Sequence, residues 1–156
     1  MLTVTIPGKR TLELKHIVLD FNGTMACDGY LIPGVKERLN LLAEKLEVHI
    51  LTADTFGLCK TSCRGINGCI SILSSEIGAP EKEKYVESLG TESVIAVGNG
   101  ANDALMLSRA ALGIMIMGLE GAAVKALQTA DVIARDINSA LDMLLNPKRL
   151  IATLRL

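Results

Sequence analysis

Apolar and polar positions alternate in two rhythms along the 156 residues. "LTVTI" and "RTLEL" alternate with period two around "PGK", which predicts a short N-terminal hairpin. "KHIVLD", "EVHILT", "CISILS", "SVIAVG", "LGIMIM" and the shorter "DVIA" are nearly continuous apolar runs, which predict buried strands. Between them the spacing turns helical. "PGVKERLNLLAEKL" carries Val35, Leu39, Leu42 and Leu46 on one face, with Pro33 suited to its first turn. "GLCKTSCRG", "PEKEKYVESLG" (ended by Gly90), "NDALMLSRA", "EGAAVKALQTA" and "DINSALDMLL" read as further helices. "NPKRLIATLRL" reads as an amphipathic terminal helix that packs on the domain or a partner. Alternation of apolar strands with helices predicts an α/β, three-layer, Rossmann-like fold. Its sheet is mainly parallel with helices on both faces, and the short hairpin is added at the N-terminus.

In such a sheet, ligands bind at the C-terminal ends of the strands. Three polar clusters fall there: "DFNGT" at 20–24, "LTAD" at 51–54 and "GNGAND" at 98–103. Asp20 ends the first core strand, and a turn with Gly23 and the Thr24 hydroxyl can line a small anion site. Thr52 adds a second hydroxyl. Asn99 and Asp103 lie four apart where a helix begins, and Lys82 or Lys84 can supply positive charge. A carboxylate nucleophile, hydroxyls, a lysine and oxygen ligands for Mg²⁺ make up the parts of a phosphoryl-transfer site.

These clusters, in this order, resemble the motifs of the haloacid dehalogenase (HAD) superfamily over residues 14 to about 135. DxDGT matches "DFNGT", a strand-ending Ser or Thr matches Thr52, a lysine matches Lys82, and GDGxND matches "GNGAND". The closest likeness is to the phosphorylation domain of P-type ATPases, on "LTAD" and "VGNGANDALMLSRAALGIMI", and to small soluble proteins resembling that domain. The resemblance implies that Asp20 is the nucleophile that becomes a phosphoaspartate. Asn22 would give its backbone carbonyl to Mg²⁺, Thr52 would bind phosphoryl oxygens, and Lys82 would neutralise charge. Lys82 is preferred over Lys84 because Val86 and Leu89 then follow at the family's helical offsets. Asn99 stands where the family has a metal-binding Asp, Asp103 is a further acid at the metal, and Asn102 a polar contact to phosphate beside Gly23 and Thr24.

Two departures matter, each an Asn for an Asp. The second Asp of DxDGT is the family's general acid and base, and the amide of Asn22 can do neither, which typically costs about 10²–10⁴ in rate. Asn99 removes a carboxylate, so Mg²⁺ should bind more weakly. Two readings follow: a slow phosphatase or phosphotransferase, or a non-catalytic phosphate- and Mg²⁺-binding regulatory domain. Both amides precede glycine, a context that favours deamidation in flexible chains.

Other features narrow the picture. Only 31 residues separate Asp20 from Thr52, too few for a cap or a nucleotide-binding domain, so one HAD-like domain over 1–156 without a cap is expected. An open site would take a phosphorylated small molecule or a phosphoprotein, or be covered by a second subunit of a homo-oligomer, with "ACDGYLIPG" as the contact or as an ordinary turn. A net charge of −1 gives no case for nucleic acid or an anionic membrane as partner, and no apolar run approaches a membrane span. The N-terminus lacks the pattern of a secretory signal, so a cytoplasmic protein is expected. Cys27, Cys59, Cys63 and Cys69 read as small buried side chains, with Cys59 and Cys63 on one face as a candidate metal or redox pair. His16 and His49 read as packed or edge side chains of strands, and Met106, Met115 and Met117 as core.

Overall fold

A computed structural model describes residues 1–54, 57–75 and 77–156. The chain opens with an antiparallel hairpin, β1 (Leu2–Thr5) and β2 (Thr11–Leu14), whose inward residues Leu2, Val4, Leu12 and Leu14 are buried. β3 (His16–Asp20) leads into a second hairpin, β4 (Ala26–Cys27) and β5 (Tyr30–Leu31), and then α1 (Val35–Leu42). There follow β6 (Glu47–Thr52), α2 (Cys59–Ser62), β7 (Cys69–Ile72), α3 (Ala79–Leu89), β8 (Val94–Gly98), α4 (Ala104–Arg109) and β9 (Leu112–Ile116). α5 (Val124–Thr129), β10 (Val132–Ala134), α6 (Ile137–Leu145) and α7 (Pro147–Leu154) complete the order.

β3 and the strands from β6 to β10 form one six-stranded sheet in the order β10-β9-β8-β3-β6-β7, every neighbouring pair parallel. Alternation along each strand divides its side chains between two cores. Ile17, Leu19, Val48, Ile50, Ile95, Val97, Leu112 and Ile114 face the layer of α1, α6 and the first hairpin. Val18, Leu51, Ala96 and Met115 face Val86 of α3, Met106 and Leu107 of α4 and Ala126 of α5. Strands buried on both faces need apolar residues at every position, which is why these segments show no polar alternation. After β3 the chain first builds outward through β6 and β7, then crosses to β8 on the other side of β3. The crevice at that reversal, between the C-terminal ends of β3 and β8, is where this architecture places a ligand.

Several boundaries differ from the sequence reading, each for a local reason. α1 stops at Leu42, but the Leu46 N–H still reaches the Leu42 carbonyl at 2.8 Å, so Leu46 stays on the buried face. Pro33 lies outside that helix, because the capping Gly34 takes φ +89°. α5 begins at Val124, since Gly121 adopts φ +79° and residues 120–123 form a loop against the β3 turn. "ACDGYL" is a true hairpin: Asp28 and Gly29 both take positive φ (52° and 83°), as a tight two-residue turn requires. Met117 is exposed, unlike the buried Met106 and Met115. Cys59 and Cys63 are buried with sulfurs 4.0 Å apart, whereas Cys27 is half-buried and Cys69 exposed, so the buried reading holds for two of the four.

Candidate active site

β3 delivers Asp20 to the C-terminal edge of the sheet, and a compact turn follows. The Phe21 carbonyl accepts from the N–H groups of Thr24, Met25 and Ala26 at 3.0–3.2 Å, and Gly23 donates to Ala26. Gly23 has φ +81°, and a Cβ there would lie 2.5 Å from Asn99 Nδ2 and 2.7 Å from Glu120 Oε2. Only glycine lets the two loops meet so closely.

Asp20 and Asp103 share Lys82. The ammonium donates to Asp20 Oδ1 at 2.6 Å and to Asp103 Oδ1 at 2.7 Å, and Lys82 is 1% exposed. Lys82 comes from the first turns of α3, whereas Lys84 is exposed. Asp103 is fully buried, and its other oxygen accepts from the Asn99 and Gly100 N–H groups at 3.0 and 2.8 Å. It seats there because Gly98 lacks a Cβ, which would stand 2.5 Å from the Asp103 carboxyl. Thr24 Oγ1 lies 3.3 Å from both Asp20 Oδ2 and Asn99 Oδ1. Thr52 ends β6 one residue beyond Leu51, the register partner of Asp20, and its hydroxyl accepts from the Asp54 N–H at 2.9 Å.

The electrostatics follow from this geometry. Two buried carboxylates face one ammonium, which leaves an excess negative charge. Burial, then the charge of Asp103, pushes the Asp20 carboxyl up to about 7, against the opposing pull of Lys82 and Thr24. Burial alone would lower the Lys82 pKa, but Asp20 and Asp103 outweigh it and hold the ammonium above its usual value. The oxygen donors of the two turns are hard: Asp20, the Asn99 Oδ1 and the Asn22 side-chain oxygen, which is buried with no hydrogen-bond partner among the described residues. Excess negative charge and unsatisfied oxygen fit a small divalent cation such as Mg²⁺.

The two amides differ. Asn99 uses both ends of its carboxamide: Oδ1 faces Thr24, and Nδ2 donates to the Gly121 carbonyl at 3.0 Å, a bond no carboxylate could make. Asn22 has no such anchor. The nitrogens that deamidation would need are engaged, Gly23 N–H with Ala26 and Gly100 N–H with Asp103. Asn102 is exposed, with its Oδ1 near Gly100. The sequence reading missed Glu120, whose Oε1 accepts from the Asp28 N–H at 3.0 Å and whose Oε2 lies over Gly23. The signal was available: "GLEG" is one more polar stretch beyond the C-terminal end of a strand.

The six-stranded parallel sheet and its flanking helices form a Rossmann-like fold of the kind found in HAD-family hydrolases. The cobalt-bound deoxy-D-mannose-octulosonate 8-phosphate phosphatase of Haemophilus influenzae superposes with a TM-score of 0.70 at 10% identity, over 86% of this chain and 88% of that one. The 3-deoxy-D-manno-octulosonate 8-phosphate phosphatase of Moraxella catarrhalis, solved with magnesium, phosphate and KDO, gives 0.63 at 16% identity over 91% and 94%. In sequence, the chain is 49% identical over 78 residues to the uncharacterized protein MJ0073 of Methanocaldococcus jannaschii, covering 47% of this chain and 84% of that protein, and it belongs to the same family. No family model matches the chain. No helix among the described residues is long and apolar enough to cross a membrane.

Proposed function

We propose that this protein is a Mg²⁺-assisted phosphohydrolase or phosphotransferase that works through a phosphoaspartate on Asp20. The observation that carries the reading is the buried arrangement of Asp20, Lys82 and Asp103 at the reversal point of the sheet. The phosphatases that share the fold support it.

A carboxylate oxygen of Asp20 attacks phosphorus as the bond from phosphorus to the ester oxygen breaks. The leaving oxygen takes its proton from water, because Asn22 has none to give. A water then attacks the phosphoaspartate, releasing inorganic phosphate and the free carboxylate. Lys82 offsets charge on Asp20 and the phosphoryl group, and Thr24 and Thr52 offer hydroxyls to its oxygens. Gly23 lets the β3 turn close against Asn99 beside the phosphoryl position, and Asn102 stands at the rim. Asp20, the Asn22 carbonyl and Asn99 would hold Mg²⁺, with Asp103 behind Lys82 adding negative charge. Mg²⁺, when bound, supplies positive charge to the phosphoryl oxygens and keeps Asp20 ionised.

Between Asp20 and Thr52 stand only the β4–β5 hairpin and α1, so this reading includes an open, capless site on a single domain, as in soluble relatives of the P-type ATPase phosphorylation domain. Its substrate is a phosphorylated small molecule or a phosphoprotein, met in the cytoplasm. Exposed Leu119 and Val124, beside Glu120, supply an apolar rim that a second copy of the chain could cover.

Asn22 favours a second reading, in which the site binds phosphate and Mg²⁺ without turnover. Beryllofluoride with Mg²⁺ tests the first: mass spectrometry and ¹⁹F NMR should detect a stoichiometric adduct that Asp20→Ala abolishes. Phosphate and Mg²⁺ binding with neither adduct nor ester hydrolysis would favour the second reading. No response to any of these ligands would exclude both.

A further inference from the structure

The N-terminal edge of the same sheet holds a second constellation that phosphoryl chemistry leaves unused. His16 opens β3 and Glu47 opens β6, and the two are register partners. His49 follows Glu47 by two residues and therefore shares its face of the sheet. Three donor atoms converge there. His16 Nδ1 lies 3.2 Å from His49 Nε2 and 3.4 Å from Glu47 Oε2, and His49 Nε2 lies 3.9 Å from Glu47 Oε2.

Those separations have a meaning for a metal. A tetrahedral ion with bonds of about 2.0–2.2 Å to nitrogen and oxygen has ligand-to-ligand edges of about 3.3–3.5 Å. Two edges match, and the third needs only a small rotation of Glu47, whose side chain is 73% exposed and free to turn. His49 is more than nine-tenths buried, and its other ring nitrogen lies 3.0 Å from the Tyr85 hydroxyl on α3. A partner on the far nitrogen is what fixes the tautomer and orientation of a metal-binding imidazole. Glu47 and His49 line a surface groove of about 370 Å³ and His16 another of about 530 Å³, so an ion has a way in and an open coordination position.

We propose that His16, Glu47 and His49 form a binding site for a divalent transition-metal ion of the zinc type, separate from the Mg²⁺ position at Asp20. The donor chemistry separates the two ends. Imidazole nitrogens suit zinc, cobalt or nickel, whereas the all-oxygen set at Asp20 suits Mg²⁺. Such an ion would tie the first two core strands together and hold Tyr85 of α3 through His49.

Calorimetric titration of the metal-free full chain with Zn²⁺, in excess Mg²⁺ to saturate the other end, tests this. One Zn²⁺ per chain is expected, and Co²⁺ in its place should give the intense visible absorption of four-coordination. His49→Ala and the double variant H16A/H49A should lose the site, Glu47→Gln should weaken it, and Tyr85→Phe should weaken it about 10–100-fold. Far-UV circular dichroism establishes that each variant is folded, and the exposed Glu47→Gln keeps the test decisive if a histidine variant is not. Asp20→Asn should bind Zn²⁺ unchanged. Absence of saturable Zn²⁺ binding, leaving only a hydrogen-bonded histidine pair, would overturn the proposal. So would binding that survives H16A/H49A, as a thiol site would, or binding that disappears with Asp20→Asn.

Discussion

The turn after β3 and the turn after β8 face each other across the site, and they are built to opposite standards. In the β8 turn nearly every polar group is spoken for. Asp103 takes one ammonium and two backbone N–H groups, and Asn99 bonds at both ends of its amide. In the β3 turn the Asn22 oxygen is buried with no hydrogen-bond partner among the described residues, and burial and the charge of Asp103 raise the Asp20 carboxyl to about 7. A fully paired turn is rigid scaffold; a turn with unmet polar demand is where a ligand gains the most. On the proposed function, that contrast puts the attacking carboxylate on the β3 side and makes the β8 side mainly its support.

The contrast is sharpest where the two turns should answer the same change differently. The largest effect expected is on rate. If Asp20 turns over, Asn22→Asp restores an acid next to it and should raise Mg²⁺-dependent phosphate-ester hydrolysis about 10²–10⁴-fold. Steady-state assays beside wild type read this, and a flat result would mean that the β3 turn is not limited by its missing acid. Next is Asp103→Asn, which sets an amide against Lys82 or against two N–H donors. It should destabilise the fold by about 3–5 kcal/mol in urea unfolding at pH 7.

Asp20→Asn should act with the opposite sign. The Asp20 carboxyl is raised to about 7 in the fold. The folded state therefore holds a proton that the unfolded chain gives up from about pH 4, and stability is lost as pH rises from 4 to 7. Removing the charge should stabilise the protein by a few kcal/mol above pH 7, and the gain should vanish below pH 4. Thermal unfolding across that range without Mg²⁺ checks it, and a constant difference at all pH values would contradict the assignment. The smallest effect belongs to Asn99→Asp. Loss of the bond to Gly121 should cost about 1–2 kcal/mol in urea unfolding, while the added carboxylate should tighten Mg²⁺ in a calorimetric titration beside wild type.

Much of this was legible before any coordinates. The apolar runs marked the strands, although β7, at the edge of the sheet, has no buried residue; the polar stretches at strand ends pointed to Asp20, Thr52 and Asp103, and only the family resemblance chose Lys82 over Lys84. What escaped notice depended on distant contacts or on weak local signals. The β4–β5 hairpin rests on two-residue strands and one Asp-Gly pair, too short for periodicity to register. Glu120 matters only because its loop folds back over Gly23. His16, Glu47 and His49 have no motif spacing, since parallel register, not sequence proximity, aligns the first with the other two. The opposite fates of Asn22 and Asn99 were equally hidden, because the two share the same Asn-Gly context and differ only in what surrounds them.

α3 carries Lys82 and, three residues on, Tyr85, about 4.5 Å further along its axis. One helix thus carries both the ammonium that Asp20 and Asp103 share and the hydroxyl beside His49, so the two ends of the sheet are joined through a single turn of α3.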